Sequence, residues 1–204
     1  GLVMTLSIRI LLGLMIFTSI LIAAHAFLFQ AGLSGGEDFQ QRFAEFPLYA
    51  AAHVLGSGVA LLIGGFQFLP KFRARRIDLH RWLGRLYLSF VLIGGVGGLV
   101  MAPVSAGGLV AHFGFGLLAV LWLSSGWLAY AAIRRGDVAL HRMWMMRNFA
   151  MAFGAVTLRI YLGLFSASGV PFQESYPVVA WLSWVPKLLF VEWVLLRRGM
   201  GRDN

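Results

Sequence analysis

Two stretches of the chain decide the fold: residues 50–69 read AAAHVLGSGVALLIGGFQFL, and residues 109–133 read LVAHFGFGLLAVLWLSSGWLAYAAI. Neither contains a formal charge, and about 20 such apolar residues in a helix cross the hydrocarbon core of a bilayer. Outward from these two stretches, the same pattern recurs. The sequence therefore predicts six transmembrane helices, at residues 8–28, 46–69, 86–104, 109–133, 149–165 and 178–196. No connection is long enough to form a second domain, so we expect one all-α membrane bundle over residues 1–204.

The composition excludes several classes of protein. Hydrophobic residues make up 59% of the chain and charged residues 12%, whereas a soluble domain carries about 25% charged residues. The chain has no Cys, which excludes disulfides, Cys-ligated zinc, iron–sulfur clusters and covalently attached haem. The net charge of +9 is typical of nucleic-acid binding in soluble proteins. In a membrane protein it indicates topology and contact with membrane lipids, and we expect no nucleic-acid partner.

The charges of the connections predict the orientation. One side has the acidic residues Glu37, Asp38, Glu45 and Glu174. The other side has most of the cations, namely Arg9, Lys71, Arg73, Arg75, Arg76, Arg81, Arg85, Arg134, Arg135, Arg142, Arg147, Arg197, Arg198 and Arg202. By the positive-inside rule both termini are cytoplasmic, which suits a bacterial inner membrane. The first helix has an alternative reading, because Arg9, an apolar run and the A-H-A of residues 24–26 resemble a signal peptide.

The order of motifs indicates an internal duplication. Ala-His at 52–53 opens the second span, which leads to Arg-Arg-x-Asp at 75–78 and Leu-His-Arg at 79–81. Ala-His at 111–112 opens the fourth span, which leads to Arg-Arg-x-Asp at 134–137 and Leu-His-Arg at 140–142. Residues 48–104 and 109–165 are thus predicted to be parallel repeats, related by an axis along the membrane normal.

Such an axis predicts two facing histidine pairs, the outer pair His53–His112 and the inner pair His80–His141. Two neutral imidazoles that face each other across a bundle can fill both axial positions of a b-type haem, an arrangement suited to electron transfer. We therefore expect one or two b-type haems. Arginines bind carboxylates well, so the inner haem propionates would meet Arg81, Arg85, Arg142 and Arg147, with Arg159 near the outer haem.

Other interpretations of the same residues stay open. His80 and His141 could instead contact lipid phosphates, and His25 could join His53 and His112 in a copper or zinc site. Three charges fall inside predicted spans, where each is a functional candidate: Arg159, Lys187 and Glu192. They could instead form an ion pair between the fifth and sixth spans. Aromatic residues near the ends of spans are typical of an interfacial belt: Trp82, Tyr87, Trp144, Tyr176, Trp181 and Trp184.

Several motifs resemble a bacterial family of predicted membrane proteins of unknown function. They are HVLG at 53–56, ALLIGGFQFLP at 60–70, HRWLGRLY at 80–87, HRMWMMR at 141–147, VTLRIY at 156–161 and AWLSWVP at 180–186, followed by Glu192-Trp193. The resemblance covers about residues 48–196 and implies a multi-span inner-membrane protein. Six spans with two levels of paired histidines are also similar to the architecture of cytochrome b561, which implies electron transfer between two haems.

These observations favour a membrane-embedded b-type electron-transfer protein, with a quinone or quinol as a candidate redox partner. The alternative is a non-enzymatic accessory, scaffold or lipid-binding subunit of a larger membrane complex. A transporter is a third hypothesis, which the sequence disfavours because it has no pair of interrupted helices in corresponding positions.

Overall fold

The computed structural model describes residues 6–200, and this part of the chain is helical and contains no strand. Arg202, one of the cations used to predict the orientation, lies outside it. The helices are α1 (Leu6–Gln30), α2 (Glu37–Glu45), α3 (Pro47–Gln67), α4 (Pro70–Arg75), α5 (Ile77–Met101), α6 (Gly108–Arg134), α7 (Val138–Ala152), α8 (Gly154–Ala167), α9 (Phe172–Leu182) and α10 (Val185–Met200). Six segments are long and apolar enough to cross a membrane, which confirms the predicted number of spans.

Two spans extend well beyond their predicted starts. The third begins at Ile77 instead of residue 86, and the fifth begins at Val138 instead of residue 149. Arg81, Arg85 and Arg142 interrupt the apolar run in these turns, but their side chains are exposed and leave the helical hydrogen bonds intact. Long basic side chains can reach water from a helix end in this way. Asp137 caps α7 by accepting from the Leu140 N–H at 2.9 Å.

The fifth and sixth spans are each interrupted inside the membrane segment. The fifth divides into α7 and α8 at Phe153, and the sixth divides into α9 and α10 at Ser183 and Trp184. Pro186 explains the second interruption, because proline has no N–H to donate and crowds the preceding turn. The two interruptions touch: the Thr157 hydroxyl donates to the Ser183 carbonyl at 2.6 Å, and the Lys187 ammonium donates to both groups.

Pro186 marks the second interruption in the sequence, whereas no proline marks the one at Phe153. The two interruptions lie in consecutive spans, whereas the counterpart of the fifth span in the predicted repeat is α5, which is continuous from Ile77 to Met101. The two halves of the repeat also differ in their connections, because only the first contains a short helix, α4. Residues 6–200 therefore lack the pair of interrupted helices, at corresponding positions of two repeats, that is expected of a transporter built from repeats.

Glycines allow α3 and α5 to pack backbone against backbone. A Cβ on Gly56 would lie 2.7 Å from the Gly94 nitrogen, and one on Gly97 would lie 2.6 Å from the His53 nitrogen. Small residues permit this close approach between membrane helices. The contact fixes the position of His53 on α3 against the backbone of α5.

A hydrogen-bonded polar network joins α5, α6 and α7 at the centre of the bundle. Tyr87 and Asn148 are both 0% exposed, and the Tyr87 hydroxyl donates to the Asn148 side-chain oxygen at 2.7 Å. The Asn148 amide donates to the Trp122 carbonyl at 2.8 Å and to the Ser125 hydroxyl at 2.9 Å. The side chains of Tyr87, Asn148 and Ser125 each have a partner, so this network is expected to hold the helices together.

The predicted aromatic belt is wrong for three of its members. Tyr87, Tyr176 and Trp184 are buried, and the polar atoms of Tyr87 and Trp184 have hydrogen-bond partners in the interior. The Trp184 indole, for example, donates to the Ala180 carbonyl at 3.0 Å. Position near the end of a span predicted these residues to lie at the interface, but their helical faces point into the bundle.

Candidate functional site: a cavity beside His53 and Arg159

A cavity of about 410 Å³ lies among α1, α3, α5, α6, α8 and α9, on the side of the bundle away from the basic connections. Its volume is in the range of binding sites for small organic molecules, about 300–1,000 Å³. Most of its wall is apolar, from residues such as Phe29, Leu61 and Trp122. The polar side chains in the wall are those of His25, Arg42, His53, Ser57, Ser105, Arg159, Tyr176 and Ser183.

The His53 ring lies between its own helix and α5, at the edge of the cavity. Its Nδ1 atom is 3.3 Å from the Gly94 carbonyl oxygen. Because a carbonyl can only accept, Nδ1 carries the proton and Nε2 keeps its lone pair. Metal-ligating histidines typically donate their other ring N–H to a carbonyl in this way. Gly98 makes room for the ring, since a Cβ there would lie 2.9 Å from Nδ1.

Arg159 brings a buried positive charge to the same cavity. Its Nη1 atom donates to the Ala155 carbonyl of its own helix at 2.8 Å. It lies close enough to Tyr176, His25 and His53 to interact electrostatically with each of them. Among the side chains that the structure describes, which do not include those of Glu37 and Asp38, no carboxylate forms an ion pair with Arg159. An intramembrane cation is costly without a partner, so this arginine is suited to hold an anionic group of a ligand.

His25 is the second imidazole in the wall of this cavity. It reaches the site from α1, next to Ala26, which packs against Gly58 of α3. Two imidazoles and an uncompensated guanidinium therefore share one apolar cavity. The three-imidazole copper or zinc site is not formed, because no group of three or more potential ligands from His, Cys, Asp and Glu comes together in residues 6–200.

His112, the predicted partner of His53, lies elsewhere. Its Nε2 atom is 2.9 Å from the Ser105 carbonyl oxygen, so it braces the turn between α5 and α6. It lines a neighbouring cavity with Glu45, and this cavity shares Arg42 and Ser105 with the first one. The structure therefore brings His53 together with His25 and does not bring it together with His112 in one cavity.

The inner pair, His80 and His141, lies at the opposite end of the bundle. The two residues are close enough to interact electrostatically. The His141 Nδ1 atom is 2.9 Å from the Ala129 carbonyl oxygen, whereas the His80 Nδ1 atom is buried without a hydrogen-bond partner in the described residues. Neither histidine lines the cavity beside His53 and Arg159.

The four arginines predicted to surround the inner haem divide into two groups. Arg81, Arg85 and Arg142 are exposed, and Arg81 is 3.9 Å from Asp78. Arg147 is engaged in an ion pair with Glu192 of α10, in which its Nη2 atom lies 2.9 Å from Oε2. The sequence left open an ion pair among Arg159, Lys187 and Glu192. Glu192 instead pairs with Arg147, so the fifth and sixth spans are joined by a cation that the sequence had placed at the inner haem.

Sequence reasoning missed the contributions of Arg42 and Tyr176 to the cavity. Arg42 reaches it from α2 and also donates to the Val104 carbonyl at 3.3 Å. Tyr176 stacks near Phe172 and Phe115 and is 8% exposed. Both residues lie near connections that have no motif of their own, so no local signal linked them to His53.

The family comparison covers most of the bundle. Residues 50–195 match the family described as "Predicted membrane protein (DUF2306)". The chain belongs to this family. His53 and Arg159 lie inside the matched residues, and His25 lies before them. The match confirms the resemblance to a membrane family of unknown function. No curated protein and no solved structure matches the chain.

Proposed function

We propose that the protein is a membrane-embedded b-type cytochrome that holds one haem in the cavity beside His53 and Arg159 and transfers electrons across or within the membrane. One observation supports this proposal above the others: Arg159 has no carboxylate partner among the side chains that the structure describes, which leave out Glu37 and Asp38, and it shares an apolar cavity with two imidazoles. A bacterial inner-membrane location with cytoplasmic termini completes the proposal, because the basic connections lie together at one end.

The roles of the residues follow from their positions. His53 and His25 would hold the haem iron, and the contact with the Gly94 carbonyl favours the His53 tautomer that leaves Nε2 free. Arg159 would neutralise a propionate, with Arg42 as a second cation in the wall. A haem held by two imidazoles would supply one-electron transfer. The apolar wall, which includes Phe29 and Trp122, excludes water and thereby strengthens these polar contacts.

This proposal modifies the predicted ligand set. The sequence paired His53 with His112, whereas the shared cavity favours His25 as the partner of His53. A single haem near one surface also differs from the two-haem arrangement of cytochrome b561, so the similarity to that family concerns its architecture and its use of haem. The inner haem between His80 and His141 stays a prediction of the sequence.

The first experiment is a dithionite-reduced minus oxidised spectrum of the protein purified in mild detergent, with haem quantified per chain. We expect b-type bands at one haem per chain. His53→Ala and His25→Ala should each lose most of the haem, whereas His112→Ala, the matched control from the other cavity, should retain it. Haem retained in both of the first two variants would reject the proposed ligands.

A second candidate function is the non-enzymatic one, an accessory or lipid-binding subunit of a larger membrane complex. The exposed arginines at the basic end favour it, since each contributes about 1 kcal/mol of attraction to an anionic membrane surface. A well-folded protein without haem, produced with ample haem, would support this candidate. The cavity would then be assigned to a quinone or another amphipathic molecule that carries a polar head for Arg159.

A further inference from the structure

A second polar site lies at the basic end of the bundle, and it is independent of the haem proposal. It consists of Gln67 at the end of α3, Arg73 on α4, His80 on α5, and His141 and Arg142 on α7. We call it the basic-end cluster. Four helices therefore contribute to it.

Hydrogen bonds hold the frame of the cluster. The Gln67 amide donates to the His80 carbonyl at 3.3 Å, and Arg73 donates to the Gln67 carbonyl at 3.4 Å. The His141 ring is fixed by its contact with the Ala129 carbonyl at 2.9 Å. These contacts place the arginine of α4 beside the first turn of α5.

Two buried polar atoms in this frame have no partner in the described residues. They are the side-chain oxygen of Gln67, a residue only 7% exposed, and the Nδ1 atom of His80. Buried polar atoms without partners are rare in native structures and call for an unseen group. The Gln67 amide nitrogen donates to the His80 carbonyl, and this bond fixes the orientation of the amide. Its oxygen can only accept, so it needs a donor from another group.

The cluster also has an excess of positive charge. Arg73, Arg81, Arg142 and His141 act electrostatically on His80. The only carboxylate paired with any of them in residues 6–200 is Asp78, which is itself 95% exposed at the side chain and 3.9 Å from Arg81. Burial and the nearby charge of Arg142 lower the pKa of Arg73, as expected where cations lie together without a counter-ion.

We propose that the basic-end cluster binds the headgroup of an anionic phospholipid whose phosphodiester is followed by a hydroxyl group, as in phosphatidylglycerol. The phosphate would lie between Arg73 and Arg142, since arginine matches phosphate geometry. The hydroxyl supplies the donor that the Gln67 oxygen lacks. An ammonium headgroup would also supply a donor, but the surrounding arginines repel it. The position of the cluster, at the end of the spans, is the level of lipid headgroups.

The test compares the full-length protein in vesicles of phosphatidylcholine that contain increasing amounts of phosphatidylglycerol, followed by native mass spectrometry of the lipid retained. Arg142→Gln should weaken phosphatidylglycerol retention about fivefold, and Arg73→Gln together with Arg142→Gln more strongly. Arg134→Gln with Arg135→Gln, which removes two exposed charges at the end of α6, is the matched control and should have a small effect. Arg142 is exposed, so its replacement should not prevent folding.

A third variant separates a built site from general electrostatics. Gln67→Leu keeps every charge, and we expect it to reduce the preference for a glycerol headgroup over a choline headgroup. An equal loss in the Arg134/Arg135 variant would overturn the proposal, because the attraction would then be a property of the whole surface. It would also be overturned if the purified protein carried a second haem that disappears in His141→Ala, since the histidines would then be haem ligands.

Discussion

The cavity beside Arg159 and the polar network around Asn148 lie in the same bundle, but they differ in whether their buried polar side chains have partners on other helices. Asn148 makes three hydrogen bonds, to Tyr87, Trp122 and Ser125. Arg159 bonds to its own helix and has no carboxylate partner among the described side chains, from which Glu37 and Asp38 are missing. A satisfied group stabilises the fold, whereas an unsatisfied charge is retained at a cost in stability. Under the proposed function, the contrast separates residues that hold the protein together from a residue that binds a ligand.

The largest effect on stability is expected at Asn148. Asn148→Leu removes three hydrogen bonds and leaves the Tyr87 hydroxyl without its partner inside the bundle, whereas the Ser125 hydroxyl keeps its bond to the Trp122 carbonyl. Each lost buried hydrogen bond costs about 1 kcal/mol, and less in some membrane proteins, so we expect a loss of about 3 kcal/mol. The measurement is the unfolding midpoint in mild detergent. Ser124→Ala is the control, because its exposed hydroxyl bonds only to its own helix, and it should change little.

An Asn148→Leu protein as stable as the Ser124→Ala control would break the comparison. The network would then be an accidental arrangement, and its complete hydrogen bonding would carry no information about what holds α5, α6 and α7 together.

Arg159→Met should raise the stability of the protein, whereas Asn148→Leu should lower it. Removing an uncompensated charge from the membrane interior should stabilise the ligand-free protein by about 2 kcal/mol. The same change should reduce the retention of haem, because the propionate loses its cation. The unfolding midpoint with and without bound haem measures both effects. A destabilised ligand-free variant would contradict the binding-site interpretation, since it would show that Arg159 has a structural role in the empty protein.

The parts of the molecule that hydropathy and charge determine were predictable from the sequence. Six spans and the family membership are confirmed, because apolar runs such as residues 109–133 must cross the bilayer as helices. The ends of α5 and α7 were not predictable from hydropathy. A helix continues through arginines whose side chains reach water, so its backbone hydrogen bonds extend beyond the ends of its apolar run.

The partners of the histidines could not be predicted, because they depend on the rotation of each helix. Repeat symmetry placed His53 opposite His112, but the glycine contact between α3 and α5 turns His53 toward the cavity that α1 also reaches. No pattern in the sequence determines the rotation of α1 about its axis, so the side of the helix that His25 faces could not be predicted. The interruption at Phe153 has no proline to signal it, and it was missed for that reason.

Two glycines of α5 test the positioning of His53 with the same chemical change. A Cβ on Gly98 would lie 2.9 Å from the His53 Nδ1 atom, whereas one on Gly84 would meet nothing within 4 Å. Both replacements by alanine gain helix propensity. Only Gly98→Ala must turn the His53 ring and lose its bond to Gly94, so we expect it to be about 1.5 kcal/mol less stable than Gly84→Ala.

The glycine pair also connects the fold to the ligand. Gly98→Ala should shift the haem spectrum or lower the haem content, and Gly84→Ala should leave both unchanged. If the two variants bind haem equally well, the orientation of His53 is irrelevant to the cavity, and the proposed ligand must lie elsewhere.

The smallest effect is expected at the ion pair that joins α7 to α10. Glu192→Gln removes the charge that Arg147 contacts through two nitrogens. The side chains of Arg147 and Glu192 are 16% and 39% exposed, so solvent screens the pair, and Arg147 keeps its contact with the Trp144 ring at 4.5 Å. We expect a loss of about 1 kcal/mol, reduced by added salt. Glu174→Gln, an exposed carboxylate at the other end, is the control. A loss larger than that of Asn148→Leu would contradict this expectation, because the Arg147–Glu192 ion pair would then hold α10 to the bundle more strongly than the network around Asn148 holds its own helices. The relevant comparison would then be between two arginines, Arg147 with a carboxylate partner and Arg159 without one among the described side chains.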